Sequence, residues 1–303
     1  MREPVHPRYF ADPFVLRTDD GYVAYGTDPL ADDVSGVFAV MTSPDLVDWT
    51  AAPPALTPIA ANFGSDFWAP EVAFDGGVYW MYYSVGRGIE GHHIRVARSE
   101  TALGPFTDLG VNLTPDEPFG IDAHPFRDAD GAWYLFFARD RPGASRPGTQ
   151  LAVARMRSMT ELAEVHTALE PDADWQIYEH HRAIYGTKLN WHTLEGPSVI
   201  RHGGEYFMFF SGGSWEGDNY GVSFARAEHP LGPWHHDARS EPDVLSTALT
   251  GLAGPGHNSL VTGPAGEIDI AYHAWDATRT VRQAYIEEII WSDAGPQLSS
   301  GSC

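Results

Sequence analysis

Five residues able to do acid–base or ligand chemistry stand at the head of one recurring theme: Asp12, Glu71, Asp122, Glu195 and His257. Each opens an apolar run, followed by a turn and an aromatic-rich second run. The copies read ADPFVLRTDDGYVAYGT, APEVAFDGGVYWMYYSV, DAHPFRDADGAWYLFFA, EGPSVIRHGGEYFMFFSG and GHNSLVTGPAGEIDIAYHAW. Singly, an Asp before a Pro is ordinary turn chemistry, because its side chain bonds local backbone. Four acids facing one cavity would repel one another unless something used them. Two carboxyls whose pKa values are held apart form a glycosidase pair, one ionised as base and one protonated as acid. A third carboxyl close by raises the acid's pKa and positions it. A cationic, oxocarbenium-like transition state also suits an acidic pocket.

The elements that must bring these residues together are the repeats themselves. Units of this size cannot bury their apolar faces alone, so five of them read as radial repeats around an axis. Each carries a hairpin turn (DDG, DGG, DADG, HGG or PAGE) between apolar runs. The second runs, such as VYWMYYSV and EYFMFFSG, have the aromatic and β-branched content of buried strands. A further phrase recurs as TSPDLVDWT, SETALGPFTDL and AEHPLGPWHH, and should place Trp49, Phe106 and Trp234 between neighbouring units. Helical periodicity is confined to Met156–Glu164. The expected architecture is an all-β, five-bladed β-propeller of about four strands per blade, with residues 1–303 forming one domain. If each lead residue opens the innermost strand of its blade, all five converge at one end of the axis.

Composition narrows the partners. A net charge of −22, from 41 acids and 19 bases, repels nucleic acid and anionic membranes but suits a neutral sugar. Lys188 is the one lysine. No stretch of about 18 apolar residues is present, so no membrane helix is expected. The single cysteine, Cys303, excludes a disulfide framework, a zinc cluster and a thiol nucleophile. The start, MREPVHPRYFADPF, lacks an apolar signal core, so a cytoplasmic location is the expectation, or secretion if a leader preceded it. Oligomeric state is not legible.

The phrases ADPFV (11–15), WAPEV (68–72), GIDAHPF (120–126), LEGPSV (194–199), GPGHNSLV (254–261) and YHAWD…VRQAYIEEIIW (272–291) together resemble glycoside hydrolase family 43. They cover nearly the whole chain in the family's order. The resemblance implies an inverting five-bladed propeller acting on arabinose- and xylose-containing glycans, hence a small oligosaccharide as partner. It implies Asp12 as general base, Asp122 as the aspartate that tunes and orients the acid, and Glu195 as general acid. His257 matches a histidine near the axis, beside a structural cation such as calcium or its waters and within reach of substrate. No cofactor is implied for the chemistry. Arg282, nine residues before Trp291, has the spacing of an arginine that reaches the tuning aspartate and the substrate, with Arg279 as competitor. Glu71 falls where the family varies and reads as a rim or structural group.

Phe67 and Trp68 are expected to wall the sugar pocket, because flat apolar sugar faces stack on aromatics. Trp191 and Trp215 are further platform candidates. Exo-release of terminal α-L-arabinofuranosyl units is the favoured activity, with β-D-xylosidase action as the alternative. A sugar-binding propeller without catalysis is the remaining class. The related fructan- and sucrose-cleaving propellers carry a Glu-Cys acid motif, whereas this chain has Glu195-Gly196.

Overall fold

A computed structural model describes residues 2–28 and 36–299, and Cys303 lies outside them. Blade 1 contains β1 (Ala11–Thr18), β2 (Gly21–Thr27), β3 (Ala39–Ser43) and β4 (Thr50–Ala52). Blade 2 contains β5 (Asp66–Asp75), β6 (Val78–Arg87), β7 (Glu90–Ser99) and β8 (Thr107–Asn112). Blade 3 contains β9 (Gly120–Arg127), β10 (Trp133–Arg141), β11 (Gly148–Ser158) and β12 (Glu161–Leu169). Blade 4 is built from β13 (Ile177–Ile184), β14 (Thr187–His202), β15 (Glu205–Gly212) and β16 (Gly221–Ala227). Blade 5 is β17 (Ala253–Thr262), β18 (Ile268–Trp275), β19 (Arg282–Ser292) and β20 (Gly295–Leu298).

The expected four-strand meander holds in blades 1, 2, 3 and 5 and changes in blade 4. There the outermost position is reduced to a bridge between Arg226 and His235. The extra strand, β13, is instead a hairpin arm on the front half of the long β14, whose His192 and Thr193 also pair with β11 and join blades 3 and 4. The helical periodicity expected at Met156–Glu164 is overridden. Those residues form the β11–β12 turn, where Met156 pairs with Leu162.

Five apolar clusters fill the spaces between blades, which explains the unbroken aromatic runs. Adjacent residues of a second strand serve opposite neighbours: Tyr83 packs toward blade 1 and Tyr82 toward blade 3. Phe137 and Phe136 divide likewise between blades 2 and 4, and Phe210 and Phe209 between blades 3 and 5. A strand buried on both faces needs apolar residues at every position. Phe106 and Trp234 are buried between blades as expected, and Trp49 is partly buried against the fifth cluster. That cluster joins Val261 and Ala271 of blade 5 to Val15 and Met41 of blade 1, closing the ring. The entering chain reinforces the closure, with Val5 and Phe10 donating amides to Ala284 and Arg282 carbonyls at 2.9 and 2.8 Å.

The innermost strands touch in cyclic order, β1–β5–β9–β14–β17 and back to β1. Each carries a bulge with one residue in the left-handed region: Asp12 (φ 50°), Ala69 (48°), Asp122 (59°), Gly196 (54°) and His257 (49°). A left-handed side-chain-bearing residue costs about 1–3 kcal/mol and re-aims whatever it carries. Four of these bulge amides are held by a polar side chain ending the second strand of the preceding blade. His273 accepts from Asp12, Thr27 from Ala69, Ser84 from Asp122 and Ser211 from His257, at 2.8–3.1 Å.

Candidate active site

The bulges correct the alignment of the lead residues. The equivalent positions are Asp12, Ala69, Asp122, Gly196 and His257, so the repeated position itself is acidic in two blades rather than four. Glu195 precedes its bulge by one residue and Glu71 follows its bulge by two. Glu71 is buried beside the axis and accepts from His124 Nδ1 at 2.7 Å, while His124 Nε2 accepts from the Val199 amide at 3.0 Å. Glu71 is therefore part of the interblade bonding, and its structural reading stands.

Asp12, Asp122, Glu195 and His257 do come together. His257 Nδ1 lies 3.5 Å from Asp12 Oδ1 and 4.0 Å from Asp122 Oδ2. The Gly196 amide donates to the same Asp122 Oδ2 at 3.1 Å. Asp12 and Asp122 are buried, whereas Glu195 keeps partial access to solvent. The inner strands β1 and β14 both border β17, so the strand carrying His257 stands between Asp12 and Glu195.

Electrostatics separates the carboxyls. Burial pushes Asp12 upward, but Arg282 and then His257 outweigh it and hold its carboxyl well below the usual range. Arg282 Nη1 donates to Asp12 Oδ1 at 3.2 Å and Nε donates to Tyr9 Oη at 2.7 Å. Arg282 is thus bonded to Asp12 and not to Asp122, against expectation, because β1 borders blade 5, whose β19 carries Arg282. Its guanidinium also lies 4.6 Å from the centre of the Trp215 ring, which stacks on Trp275. Arg279 is exposed and binds Asp218 and the Glu216 carbonyl, so it has no part in the site.

Glu195 is raised to about 7, first by burial and then by the charge of Asp12, against the lowering effect of its bond from Tyr220. The buried Tyr220 hydroxyl donates to Glu195 Oε1 at 2.5 Å, and its ring stacks on His273. Asp122 is raised well above its ordinary value by burial, then by Glu195 and Asp12. Two carboxyls in this relation titrate as a pair, and the charge of one favours the protonated form of the other. Burial lowers His257 and His273, the latter to about 4, so both are neutral at pH 7. His273 Nδ1 accepts the Asp12 amide and therefore turns a lone pair, not a proton, toward the carboxylate 3.3 Å away.

Phe67, Trp68 and Arg282 line one cavity of about 850 Å³ with Tyr9 and Thr27. The acids are not on its wall, and Arg282 is the link between it and Asp12. Trp68 is stiffened from behind by the buried ring of His92, stacked at 3.6 Å and 16°. Trp191 is fully buried and cannot be a sugar platform. Among the described residues no cluster of three or more His, Cys, Asp or Glu is placed to hold a metal ion. Around His257 there are two carboxylates and the Arg282 cation, not the six to eight oxygens that calcium takes. Positive charge beside the acids comes from Arg282.

Tyr220, His273, Tyr9 and His92 were not anticipated. His273 had a signal: GYVAYGT, VYWMYYS, EYFMFFS and IDIAYH each end an aromatic strand on a polar residue. Tyr220 had none, since it reaches Glu195 from the loop before β16.

Residues 1–296 match the sequence family Glycosyl hydrolases family 43. A beta-D-galactofuranosidase xynD from Aspergillus niger is 30% identical over 97% of this chain and 83% of its own. An extracellular exo-alpha-(1->5)-L-arabinofuranosidase from Streptomyces avermitilis is 29% identical over 87% of this chain, which spans only 54% of that protein's length. The crystal structure of a thermostable family-43 glycoside hydrolase superposes with a TM-score of 0.81 at 30% identity, covering 99% of this chain and 96% of the other. With the five-bladed ring and an axial trio of carboxyls already in place, the chain belongs to glycoside hydrolase family 43.

Proposed function

We propose that this glycosidase releases terminal α-L-arabinofuranosyl units from arabinan and arabinoxylan oligosaccharides, in a single displacement that inverts the anomeric carbon. The observation that carries the reading is the opposed state of Asp12 and Glu195: one held ionised, the other raised to about 7. Asp12 takes a proton from the attacking water as that water bonds to the anomeric carbon. Glu195 gives its proton to the departing oxygen, and Asp122 keeps Glu195 oriented and protonated. Strands β1 and β14 are not neighbours in the ring, which supports a base and an acid set far enough apart for a water between them, as in inverting enzymes.

Arg282 restrains Asp12 as a base. A sugar hydroxyl competing for that guanidinium would loosen the Asp12 bond and make the carboxylate more basic as substrate arrives. Both proton transfers in this scheme have a protein carboxyl as partner. A cation beside His257 would bear on stability alone, and a melting temperature unchanged in EDTA would contradict it.

The furanosyl preference is supported by the two relatives, both named for furanosides. A β-D-galactofuranosyl unit shares the ring configuration of the α-L-arabinofuranosyl unit and adds an exocyclic carbon. The test is turnover of nitrophenyl α-L-arabinofuranoside, β-D-galactofuranoside and β-D-xyloside by wild type and by Asp12→Asn. The reading expects the arabinofuranoside to lead and the variant to be inactive on all three. A leading xyloside or galactofuranoside overturns the substrate, and an active variant overturns the site.

A further inference from the structure

A second cleft, of about 700 Å³, lies where the tip of the β6–β7 hairpin faces the tip of the β13–β14 hairpin. Its wall combines Ile89, Glu90 and Phe119 with Arg182, Tyr185 and Lys188. Ile89 and Tyr185 are among the few large apolar side chains left exposed on the described surface, at 63% and 47%, and they share this cleft. Tyr185 is also held at a cost. It sits in the left-handed region (φ 53°) before Gly186, at a hairpin turn that ordinarily favours Asn or Gly. Its hydroxyl donates to Asp140 Oδ2 at 2.7 Å, and Asp140 is buried and accepts from Thr149 as well. A tyrosine strained in its backbone, pinned by its hydroxyl and bare on its ring face presents a fixed platform.

The walls of the cleft are built on elements that also carry the acids. The strand β14 runs unbroken from Lys188 to Glu195. Neighbouring residues Asn219 and Tyr220 tie the base of the hairpin to the acid: Asn219 donates to the Ile177 carbonyl at 2.9 Å, and Tyr220 donates to Glu195. From there Arg182 bridges outward, 4.8 Å over the Tyr178 ring and 5.7 Å over Trp191, whose ring centre is 5.9 Å from that of Tyr185. On the other wall His92, which backs Trp68, meets Phe119 at 5.7 Å. Phe119 precedes Asp122 by three residues, roughly 10 Å of extended chain. A general acid protonates the departing oxygen and so faces the leaving group, and both walls of the cleft lead back to the residues around that acid.

We infer that this cleft binds the distal part of a neutral oligosaccharide leaving group, with Tyr185 as stacking platform, Ile89 and Phe119 as apolar wall, and Arg182 and Lys188 for hydroxyls. This rests on the arabinofuranosidase reading and adds that the preferred substrate is an oligomer whose second and later leaving-group units are gripped. Mixed apolar and hydrogen-bonding walls suit sugar faces, and the cations are those of a chain otherwise dominated by acids.

The test is the dependence of kcat/KM on chain length, from two to five units of α-1,5-linked arabino-oligosaccharide, beside nitrophenyl α-L-arabinofuranoside. Wild type should gain about five- to ten-fold between two and four units, as one stacked ring and its neighbours would supply. Tyr185→Ala and Ile89→Ala should lose that gain while turning over the nitrophenyl glycoside within about two-fold of wild type. Tyr185→Phe keeps the ring and should keep the gain, which separates stacking from the bond to Asp140. A wild type without length dependence, or Tyr185→Ala and Ile89→Ala that both retain it, overturns the inference while leaving the arabinofuranosidase reading intact. A wild type that cleaves no arabinofuranoside overturns that reading, and this inference with it.

Discussion

The Gly196 amide donates to Asp122 Oδ2 at 3.1 Å, so the residue following Glu195, the proposed acid, is bonded directly to the Asp122 carboxyl. At the corresponding point the other blades use Thr27, Ser84, Ser211 or His273 to receive the next blade's bulge amide. Blade 3 has Ala138 there, paired opposite Ile121, and Ala138 has no acceptor to offer. Asp122 fills the gap, and one bond thereby serves both ring assembly and acid placement.

Asp122→Asn keeps an acceptor for the Gly196 amide but removes the charge. Relieved of like-charge repulsion, Glu195 should ionise more readily and move the basic limb of the kcat/KM profile to lower pH. Turnover should fall about 10- to 100-fold with little change in melting temperature. An unmoved limb would show that Asp122 does not tune the acid.

Tyr220→Phe should act in the opposite sense. The hydroxyl donates to the ionised form of Glu195, and its loss favours the protonated form. The basic limb should therefore move upward from its position near 7. A profile identical to wild type would reduce Tyr220 to packing.

Glu195→Gln should lower turnover of arabino-oligosaccharides by about 10³-fold and hurt nitrophenyl glycosides far less, because an activated leaving group needs little protonation. Equal losses on both would place the proton donor elsewhere. Asp12→Asn should lose about 10³-fold or more on every substrate, since water activation has no substitute.

The contribution of the raised carboxyls to stability should fall as pH rises toward and through neutrality. Glu195 is raised from 4.5 to about 7 and Asp269 from 3.8 to about 6, so the folded state binds these protons more tightly than the unfolded chain. Their stabilising effect is complete below the unfolded values and is lost as pH climbs through the folded ones. Asp12, lowered instead, loses its contribution only in strong acid. Buried histidines lowered in the folded state, such as His273, act in the opposite sense below about pH 6.5. The Glu195 contribution is therefore the melting temperature of wild type minus that of Glu195→Gln, which should fall between about pH 5 and pH 8. A difference that rises across that range would contradict the assignment.

The propeller and its trio of acids were legible because they are encoded locally: each hairpin has its turn, and each interblade strand its aromatic run. Alignment of the acids within the ring was not. A bulge shifts register by one residue without marking the sequence, so Glu195 and Glu71 look equivalent to Asp12 and are not. Arg282 was found, but its partner was misjudged, since which aspartate a long side chain reaches depends on blade geometry. Tyr220 and the β13–β14 hairpin were invisible for a related reason: they lie outside the repeat, and no period announces them. Trp191 illustrates the converse, a residue of the right type at a plausible place that the hairpin buries.

The most direct test of the central claim is the configuration of the first product. Proton NMR during hydrolysis of an α-L-arabinofuranoside, read before mutarotation, should show the β anomer of arabinose appearing first. The α anomer appearing first would mean two displacements, and would contradict Asp12 as a base acting through water opposite Glu195.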